Sequence, residues 1–290
     1  MNKNLTKPLI SVIVNCFNGE NYLHEALQSV VSQTYENWEL IFWNNCSTDN
    51  SENIFLQYAN ERFFYYESAE HSTLGMARKM ALEKAKGEWI AFLDCDDYWT
   101  EDKLELQILA LNSTNYKNIG LIYTDTTFIR LSKNSFKTIY TSKNFYNFKS
   151  FPQGDLFNLL SFDCFFTLVS CLFNREILIS VGGVDQKLKH AEDYDLFLKI
   201  SARSNIIGVD RVCCIYRLHN SNLTWSSSEL IYLEPLYNRY KVGQSVAIAR
   251  YIAKLAGIAG KNEIDQALAD GLVDFVTDFL NGENMILEQT

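Results

Sequence analysis

Three carboxylates lie close together in the segment GEWIAFLDCDDYWTEDKL, residues 87–104. Asp94, Asp96 and Asp97 directly follow the apolar run 89–93, which predicts a buried strand. Like charges at this spacing repel one another and are costly to bury without a positive partner. One interpretation is that Asp94 or Asp97 caps the following helix while the other carboxylates are solvated. The alternative is a site for a hard divalent cation that binds one or two carboxylates together with substrate phosphate oxygens.

The elements around this cluster favour the cation site. Residues 9–14 predict a continuous apolar, β-branched strand and residues 38–43 a second one, and the apolar residues between them recur at helical spacing from Glu20. The same alternation continues to a strand at 88–93, which predicts an α/β fold with a mostly parallel sheet and flanking helices. Such sheets bind ligands beyond the carboxyl ends of their strands, and polar stretches follow all three strands.

Beyond residue 110 the alternation is less regular. Residues 130–150 have no steady period and indicate a surface excursion or loop, whereas residues 165–173 predict a strand. Two stretches near the end of the chain, 240–255 and 264–280, carry apolar residues at three- and four-residue intervals. They predict a C-terminal helical extension.

Composition and charge exclude several classes of protein. The chain has 290 residues and is 47% hydrophobic, which is ordinary for a globular protein with a core, and its net charge of -9 argues against a nucleic-acid partner. The seven cysteines include no C-x-x-C pair and are expected to be reduced thiols in a cytoplasmic protein. The apolar run 9–14 is too short for a secretion signal, and no apolar run is long enough to predict a membrane-spanning helix.

Four stretches of the chain resemble, in their order, family 2 glycosyltransferases with the GT-A fold. They are SVIVNCFNGENYLHEALQSVVSQTYENWELIFWNNCSTDNS, LGMARKMALEKAKGEWIAFLDCDDYW, AEDYDLFLKI and YRLHNSN. The resemblance implies a GT-A domain over 1–225, with a nucleotide-sugar-binding half at about 8–110 and an acceptor-binding half at about 111–225, followed by the helical extension 226–290. It also implies an inverting, metal-dependent transfer of a sugar to a hydroxyl of a glycan or lipid-linked acceptor. Synthesis of cell-surface polysaccharide or lipopolysaccharide is the expected setting.

The resemblance assigns the nucleotide side of the site to individual residues. Asn15 and Phe17, in the turn after the first strand, would contact the base. Asn45 stands where the family has an Asp that accepts the N3–H of uracil, and its amide oxygen can still accept that hydrogen bond. A UDP- or dTDP-sugar is therefore the expected donor, and a changed base preference is the alternative that the departure at Asn45 leaves open. The other expected contacts with the nucleotide sugar are Arg78, Asp94 and Cys95.

The resemblance also implies the metal and acceptor residues. Asp96 and His219 would hold Mn²⁺ or Mg²⁺, and Asp193 would be the general base that accepts the proton of the acceptor hydroxyl. Glu192 would orient the acceptor. Apart from the resemblance, the aromatic ring of Trp99 could stack on a sugar or lipid acceptor, and a place in the core is the alternative for this residue. One in-line displacement at the anomeric carbon would then invert its configuration.

Two other functions stay open from the sequence. A nucleotidyltransferase also uses paired aspartates and a metal on an α/β sheet, but it predicts a glycine-rich basic phosphate loop that residues 15–20 lack. A non-catalytic nucleotide-sugar-binding module would agree with the departure from the family pattern at 44–46. The presence of Asp94, Asp96 and Asp193 counts against such a module.

The C-terminal extension carries basic residues beside its apolar stripe. Lys241, Arg250 and Lys254 flank that stripe, so the helices could lie on an anionic membrane or pair with a second copy of the chain. Packing of these helices against the domain is the favoured alternative. The protein is expected in the cytoplasm or on the cytoplasmic face of the inner membrane.

Overall fold

A computed structural model of the chain describes residues 6–132, 135–188 and 191–219. The strands in these ranges are β1 Ile10–Cys16, β2 Trp38–Asn44, β3 Phe63–Glu67, β4 Trp89–Asp94, β5 Tyr98–Trp99, β6 Ile119–Ser132, β7 Ser135–Thr141, β8 Cys171–Asn174 and β9 Asn205–Leu218. The helices are α1 Leu23–Val31, α2 Ser51–Leu56, α3 Leu74–Leu82, α4 Lys103–Ser113, α5 Ser142–Phe145, α6 Phe157–Phe162, α7 Arg175–Ser180 and α8 Glu192–Ser201. A short 3₁₀ turn at Leu168–Ser170 precedes β8.

The described strands form one sheet with the order β3-β2-β1-β4-β8-β6-β9-β5, and β7 pairs with β6. The ladders that join β3, β2, β1 and β4 are parallel, as predicted, and so is the ladder between β6 and β9. The strand β8 is antiparallel to both β4 and β6. The sheet is therefore mixed, and its continuous parallel part is the half that was expected to bind the nucleotide.

The parallel half brings the polar strand ends together. Every residue of β1 and β2 is buried, as expected for parallel strands with continuous apolar sequences. Each apolar side chain buried in this way contributes roughly 1.5–3 kcal/mol, so the core fixes the register of the strands. In that register Asn15 lies opposite Trp43 on one side and Asp94 on the other. The side chains predicted to bind the donor thus emerge at one edge of the sheet.

The turns after β1 and β2 are tied to each other. The Asn18 side-chain oxygen accepts a hydrogen bond from the Thr48 N–H at 2.8 Å, and the Asn18 N–H donates to the Ser47 hydroxyl at 3.0 Å. Gly19 has no room for a side chain, because a Cβ there would lie 2.8 Å from the sulfur of Cys95 and 2.9 Å from that of Cys16. The first two polar turns therefore form one rigid unit.

The structure corrects two expectations for the acceptor half. The loop alternative for 130–150 is wrong, because β7 pairs with β6 and α5 follows it among the described residues. The side chains of residues 137–139 are exposed, so this part of β7 carries no buried apolar residue that would have revealed a strand in the sequence. In 165–173 only the last three residues belong to a strand, although Phe165 and Phe166 are buried beside the ring of Tyr123.

The cysteines form no disulfide. All seven lie in the described ranges and are free thiols, as predicted. In the described part of the chain, no helix has both the length and the apolar character needed to cross a bilayer. The predicted helical extension 226–290 lies outside the described residues.

Candidate functional site

Arg78 joins the carboxyl end of β4 to the start of α8. Its Nη2 lies 2.6 Å from Asp94 Oδ1, and its Nη1 lies 2.5 Å from Glu192 Oε1. Arg78 is buried and bridges two carboxylates, while its contact with the nucleotide stays a prediction. This arrangement brings the Asp94–Asp97 cluster and the Glu192–Asp193 pair together.

The Glu192–Asp193 pair opens α8, where the helix dipole favours negative charge. The preceding residue, Ala191, has a left-handed backbone with φ 53°, an uncommon conformation for a residue with a Cβ that often marks functional sites. Asp193 is half-buried, and its Oδ1 accepts a hydrogen bond from the Tyr194 N–H at 2.7 Å. Burial raises the pKa of Glu192 to about 7, although the Arg78 guanidinium opposes this shift. The helix start therefore presents two carboxylates in different electrostatic environments.

The three clustered carboxylates have three separate partners. Asp94 pairs with Arg78, Asp96 Oδ2 lies 2.9 Å from His219 Nε2, and Asp97 Oδ1 accepts the backbone N–H of Arg217 at 2.9 Å. None of the three caps the next helix, because α4 begins after Asp102. The capping interpretation is therefore wrong. Burial and the neighbouring Asp96 and Asp94 carboxylates still raise the pKa of Asp97 well above its ordinary value, so the three partners do not remove the repulsion within the cluster.

Asp96 and His219 are suited to hold a divalent cation. A carboxylate oxygen and an imidazole nitrogen 2.9 Å apart are close enough to bind one ion. The carboxylate is a ligand suited to Mg²⁺ and Mn²⁺, and imidazole is the commonest metal ligand in proteins. In the described ranges no group of three or more His, Cys, Asp or Glu side chains is arranged to hold a metal. The residues therefore fit a site in which the protein supplies two ligands and a bound diphosphate supplies others, as is usual for Mg²⁺.

Asn45 is engaged by a neighbouring segment rather than left open for a base. Its Nδ2 donates to the Ser72 carbonyl at 2.8 Å, and its Oδ1 accepts both the Ser72 N–H at 3.2 Å and the Ser72 hydroxyl at 3.0 Å. The amide oxygen predicted to accept the uracil N3–H thus already has two donors. Asn45 holds the segment 68–73 against the end of β2.

The turn after β1 presents an exposed aromatic ring beside this segment. Phe17 is 47% exposed and its ring centroid lies 4.1 Å from that of His71. Asn15 is buried, and its Nδ2 has no hydrogen-bond partner in the part of the chain that the structure describes. Phe17 thus has the placement expected of a base contact. His71 and Ser72 belong to no sequence motif, and the parallel pairing of β2 and β3 brings them here, so sequence reasoning missed both.

Trp99 and Cys95 lie differently from what was expected. Trp99 is 3% exposed, its indole N–H donates to the Val169 carbonyl at 2.9 Å, and Lys103 Nζ lies 4.1 Å from its ring centroid. It is a core residue and offers no surface to an acceptor. The sulfur of Cys95 packs under Gly19, and a hydrogen bond to Cys16 together with burial raises the pKa of the Cys95 thiol well above its ordinary value. Cys95 therefore stays a neutral packing group within the cluster.

Comparison with solved structures establishes the fold class. The chain superposes on Staphylococcus aureus TarS 1-349 in complex with UDP-GlcNAc with a TM-score of 0.63 and 22% sequence identity, over 78% of this chain and 64% of that chain. This chain thus spans slightly less than two thirds of the TarS structure. The similarity confirms the predicted GT-A-type α/β fold.

Sequence comparisons identify the family. The family model described as "Glycosyl transferase family 2" matches residues 11–181. An uncharacterized glycosyltransferase of Rickettsia typhi is 31% identical over 228 residues, which are 77% of this chain and 68% of that protein. The Escherichia coli protein WfgD, a UDP-Glc:alpha-D-GlcNAc-diphosphoundecaprenol beta-1,3-glucosyltransferase, is 30% identical over 218 residues, 74% of this chain and 79% of that protein. The chain therefore belongs to glycosyl transferase family 2.

Proposed function

We propose that the chain is an inverting glycosyltransferase that moves a sugar from a nucleoside-diphosphate sugar to a hydroxyl of a glycan or lipid-linked acceptor. One observation carries the proposal: Arg78 bridges Asp94 to Glu192 and so brings the donor-side cluster and the Asp193 carboxylate to the same edge of the sheet. A carboxylate that is to activate an acceptor must lie close to the donor sugar. This bridge supports that arrangement.

The candidate site residues have separate roles in the proposed reaction. Asp193 accepts the proton of the acceptor hydroxyl, whose oxygen forms a bond to the anomeric carbon while the bond from that carbon to the diphosphate oxygen breaks on the opposite face. Arg78 and Glu192 keep the start of α8 in place during this step. A cation bound by Asp96 and His219 would supply positive charge beside the diphosphate. The acceptor proton ends on Asp193, and the configuration at the anomeric carbon inverts.

The expected donor is a UDP-sugar or dTDP-sugar. WfgD is named for UDP-Glc and the TarS structure holds UDP-GlcNAc, which supports a uracil nucleotide for this chain as well. Phe17 beside His71 offers an aromatic surface on which a pyrimidine can stack.

The expected acceptor is lipid-linked. The WfgD name specifies a diphosphoundecaprenol acceptor, which supports a membrane-anchored glycan and a role in cell-surface polysaccharide synthesis. A catalytic domain in the cytoplasm or on the cytoplasmic face of the inner membrane would reach such an acceptor.

Release of UDP is the assay for this function. The purified protein is incubated with UDP-Glc, UDP-GlcNAc or a dTDP-sugar, with and without Mn²⁺, and free nucleoside diphosphate is measured. Water can take the place of the acceptor hydroxyl as the nucleophile, so we expect slow, metal-dependent release of the diphosphate without an acceptor. Pyrophosphate formation from UTP and a sugar 1-phosphate would instead indicate a nucleotidyltransferase, and donor binding without turnover would indicate a binding module.

Asn45→Asp tests whether this residue holds the segment 68–73. A carboxylate cannot donate to the Ser72 carbonyl and repels it, so we expect a loss of about 1–3 kcal/mol in the free energy of unfolding and no gain in affinity for UDP. Urea unfolding and UDP titration measure the two quantities. The control is Ser72→Ala, which removes only the hydroxyl contact and should cost less. Tighter UDP binding at unchanged stability would mean that position 45 reads the base.

The raised pKa of Glu192 predicts a pH dependence of stability. Its value is about 7 in the fold against the ordinary 4.5, so the folded state binds more protons between these values. The contribution of Glu192 to stability is therefore present below pH 4.5 and is lost as the pH rises through 7. We expect Glu192→Gln to remove this part of the pH dependence in urea unfolding between pH 5 and 8. Exposed Glu83→Gln is the control, and identical pH profiles for wild type and Glu192→Gln would contradict the prediction.

A further inference from the structure

Arg217 is a fully buried cation beside the predicted metal ligands, and it is not one of the residues that the sequence predicts for the site. The residue is 1% exposed, its Nη1 donates to the Asp96 carbonyl at 2.7 Å, and its Nη2 pairs with the Glu25 carboxylate. Its guanidinium carbon lies 4.9 Å from the ring centroid of Tyr22 and 4.5 Å from that of Tyr98. Burying a charged group is costly, so this set of contacts points to a requirement for its fixed, forked geometry.

Two reciprocal hydrogen bonds connect the loop after β4 to the end of β9. The Arg217 side chain donates to the backbone of Asp96, while the Arg217 backbone N–H donates to the side chain of Asp97 at 2.9 Å. Antiparallel pairing of Tyr98 with Ile215 continues the contact. The reciprocal bonds leave the loop little freedom to move relative to the end of β9.

The hydrogen bonds of Arg217 to Asp96 and Asp97 set the position of both candidate metal ligands. Asp96 is itself one of the bonded residues, and His219 follows Arg217 by two residues at the end of β9. Their side chains meet with Asp96 Oδ2 and His219 Nε2 2.9 Å apart. The ring of His219 also stacks on Tyr22 at a centroid distance of 5.3 Å, so Tyr22 contacts both the imidazole and the guanidinium. Movement of Arg217 would therefore shift the two ligands relative to each other.

We propose that Arg217 is a positioning residue that holds Asp96 and His219 at the separation needed to bind one divalent cation. The proposal rests on the proposed function, because it assumes that these two residues are the metal ligands. Groups that orient metal ligands affect metal affinity strongly, and their replacement typically weakens binding by about 10–100-fold. A lysine would keep the charge but would lack the second nitrogen that reaches Glu25 while the first contacts Asp96.

Metal affinity of Arg217→Lys is the direct test. The free Mn²⁺ signal in electron paramagnetic resonance gives the Mn²⁺ dissociation constant in the presence of UDP, and we expect it to rise by about 10-fold or more. UDP affinity without metal should change little, since the contacts described for Arg217 are with Asp96, Asp97, Glu25 and the rings of Tyr22 and Tyr98, and not with the turns after β1 and β2. The matched control is Arg211→Lys on the same strand, because Arg211 is exposed and pairs only loosely with Asp102 at 3.3 Å. Melting temperature is recorded for every variant.

A second variant keeps the test decisive if Arg217→Lys folds poorly. Glu25 is largely exposed, so Glu25→Gln should fold normally while it weakens the hold on the Arg217 Nη2, and we expect a smaller rise in the Mn²⁺ dissociation constant. Wild-type Mn²⁺ affinity in both variants would overturn the positioning role and leave the proposed function standing. A wild-type protein that binds UDP but no Mn²⁺ would overturn the metal site itself and the positioning role with it.

Discussion

Replacement of Asp193 by Asn is expected to lower the rate of sugar transfer by at least about 100-fold, since general base catalysis typically contributes 10²–10⁴-fold. The amide keeps the size of the side chain and can still accept the hydrogen bond from the Tyr194 N–H, so the start of α8 should stay intact. Asn cannot take up the acceptor proton. We therefore expect an unchanged dissociation constant for the UDP-sugar and a loss confined to turnover.

The matched control for this experiment is Asp155→Asn, an exposed aspartate in the acceptor half. Its side chain accepts a hydrogen bond from the Phe157 N–H at 3.3 Å, which Asn can also do, so turnover should match that of the wild type. Retained turnover in Asp193→Asn would remove Asp193 from the role of general base. Loss of both turnover and donor binding would instead indicate a structural role for Asp193.

Arg78→Met is expected to lower the free energy of unfolding by about 3–5 kcal/mol, the usual cost of removing one partner from a buried ion pair. The guanidinium side chain is 5% exposed, and its loss leaves the Asp94 and Glu192 carboxylates, 27% and 7% exposed, without their cation. Without Arg78, burial would favour protonated Glu192 even more. The loss measured by urea unfolding should therefore be smaller at pH 5 than at pH 8.

Arg211→Met provides the comparison for this prediction. The Arg211–Asp102 pair is largely exposed, and exposed pairs contribute about 0–1 kcal/mol. A cost below about 1 kcal/mol for Arg78→Met as well would contradict the bridging role, because surface pairs show that value. The site would then have to be held together by the sheet and the helix packing alone.

The parallel half of the fold was predictable because its signals are local. Strands buried on both faces carry continuous apolar runs such as 9–14, and the intervening helix has apolar residues at helical spacing. Because the strands are parallel, the polar residues that follow them must lie together at the edge of the sheet formed by the carboxyl ends of the strands. The grouping of Asn15, Asn45 and Asp94 follows from the sequence in this way.

The remaining features depend on contacts between distant parts of the chain. The sequence cannot tell that the amide of Asn45 is occupied by Ser72, or that Arg78 spans two carboxylates, because both depend on the packing of the segment 68–82. An aromatic residue such as Trp99 can either stack on an acceptor sugar or pack in the core, and the sequence does not distinguish the two. Its 3% exposure in the structure places it in the core. In β7 the side chains of residues 137–139 are exposed, so they contribute no periodic apolar signal.

The most direct test of the central claim is thermal stabilisation by nucleotide sugars, with and without Mn²⁺, in the wild type and in Asp96→Asn. The claim is that the carboxylate cluster beyond β4 is a metal-dependent donor site. At a ligand concentration of about 100 times the dissociation constant, binding adds roughly 2.7 kcal/mol, and each kcal/mol raises the melting temperature by about 2–4 °C for a chain of this size. We predict a metal-dependent rise with UDP- or dTDP-sugars that Asp96→Asn loses. A rise that needs neither Mn²⁺ nor Asp96, or no rise with UDP-, dTDP-, GDP- or CMP-sugars, would contradict the account.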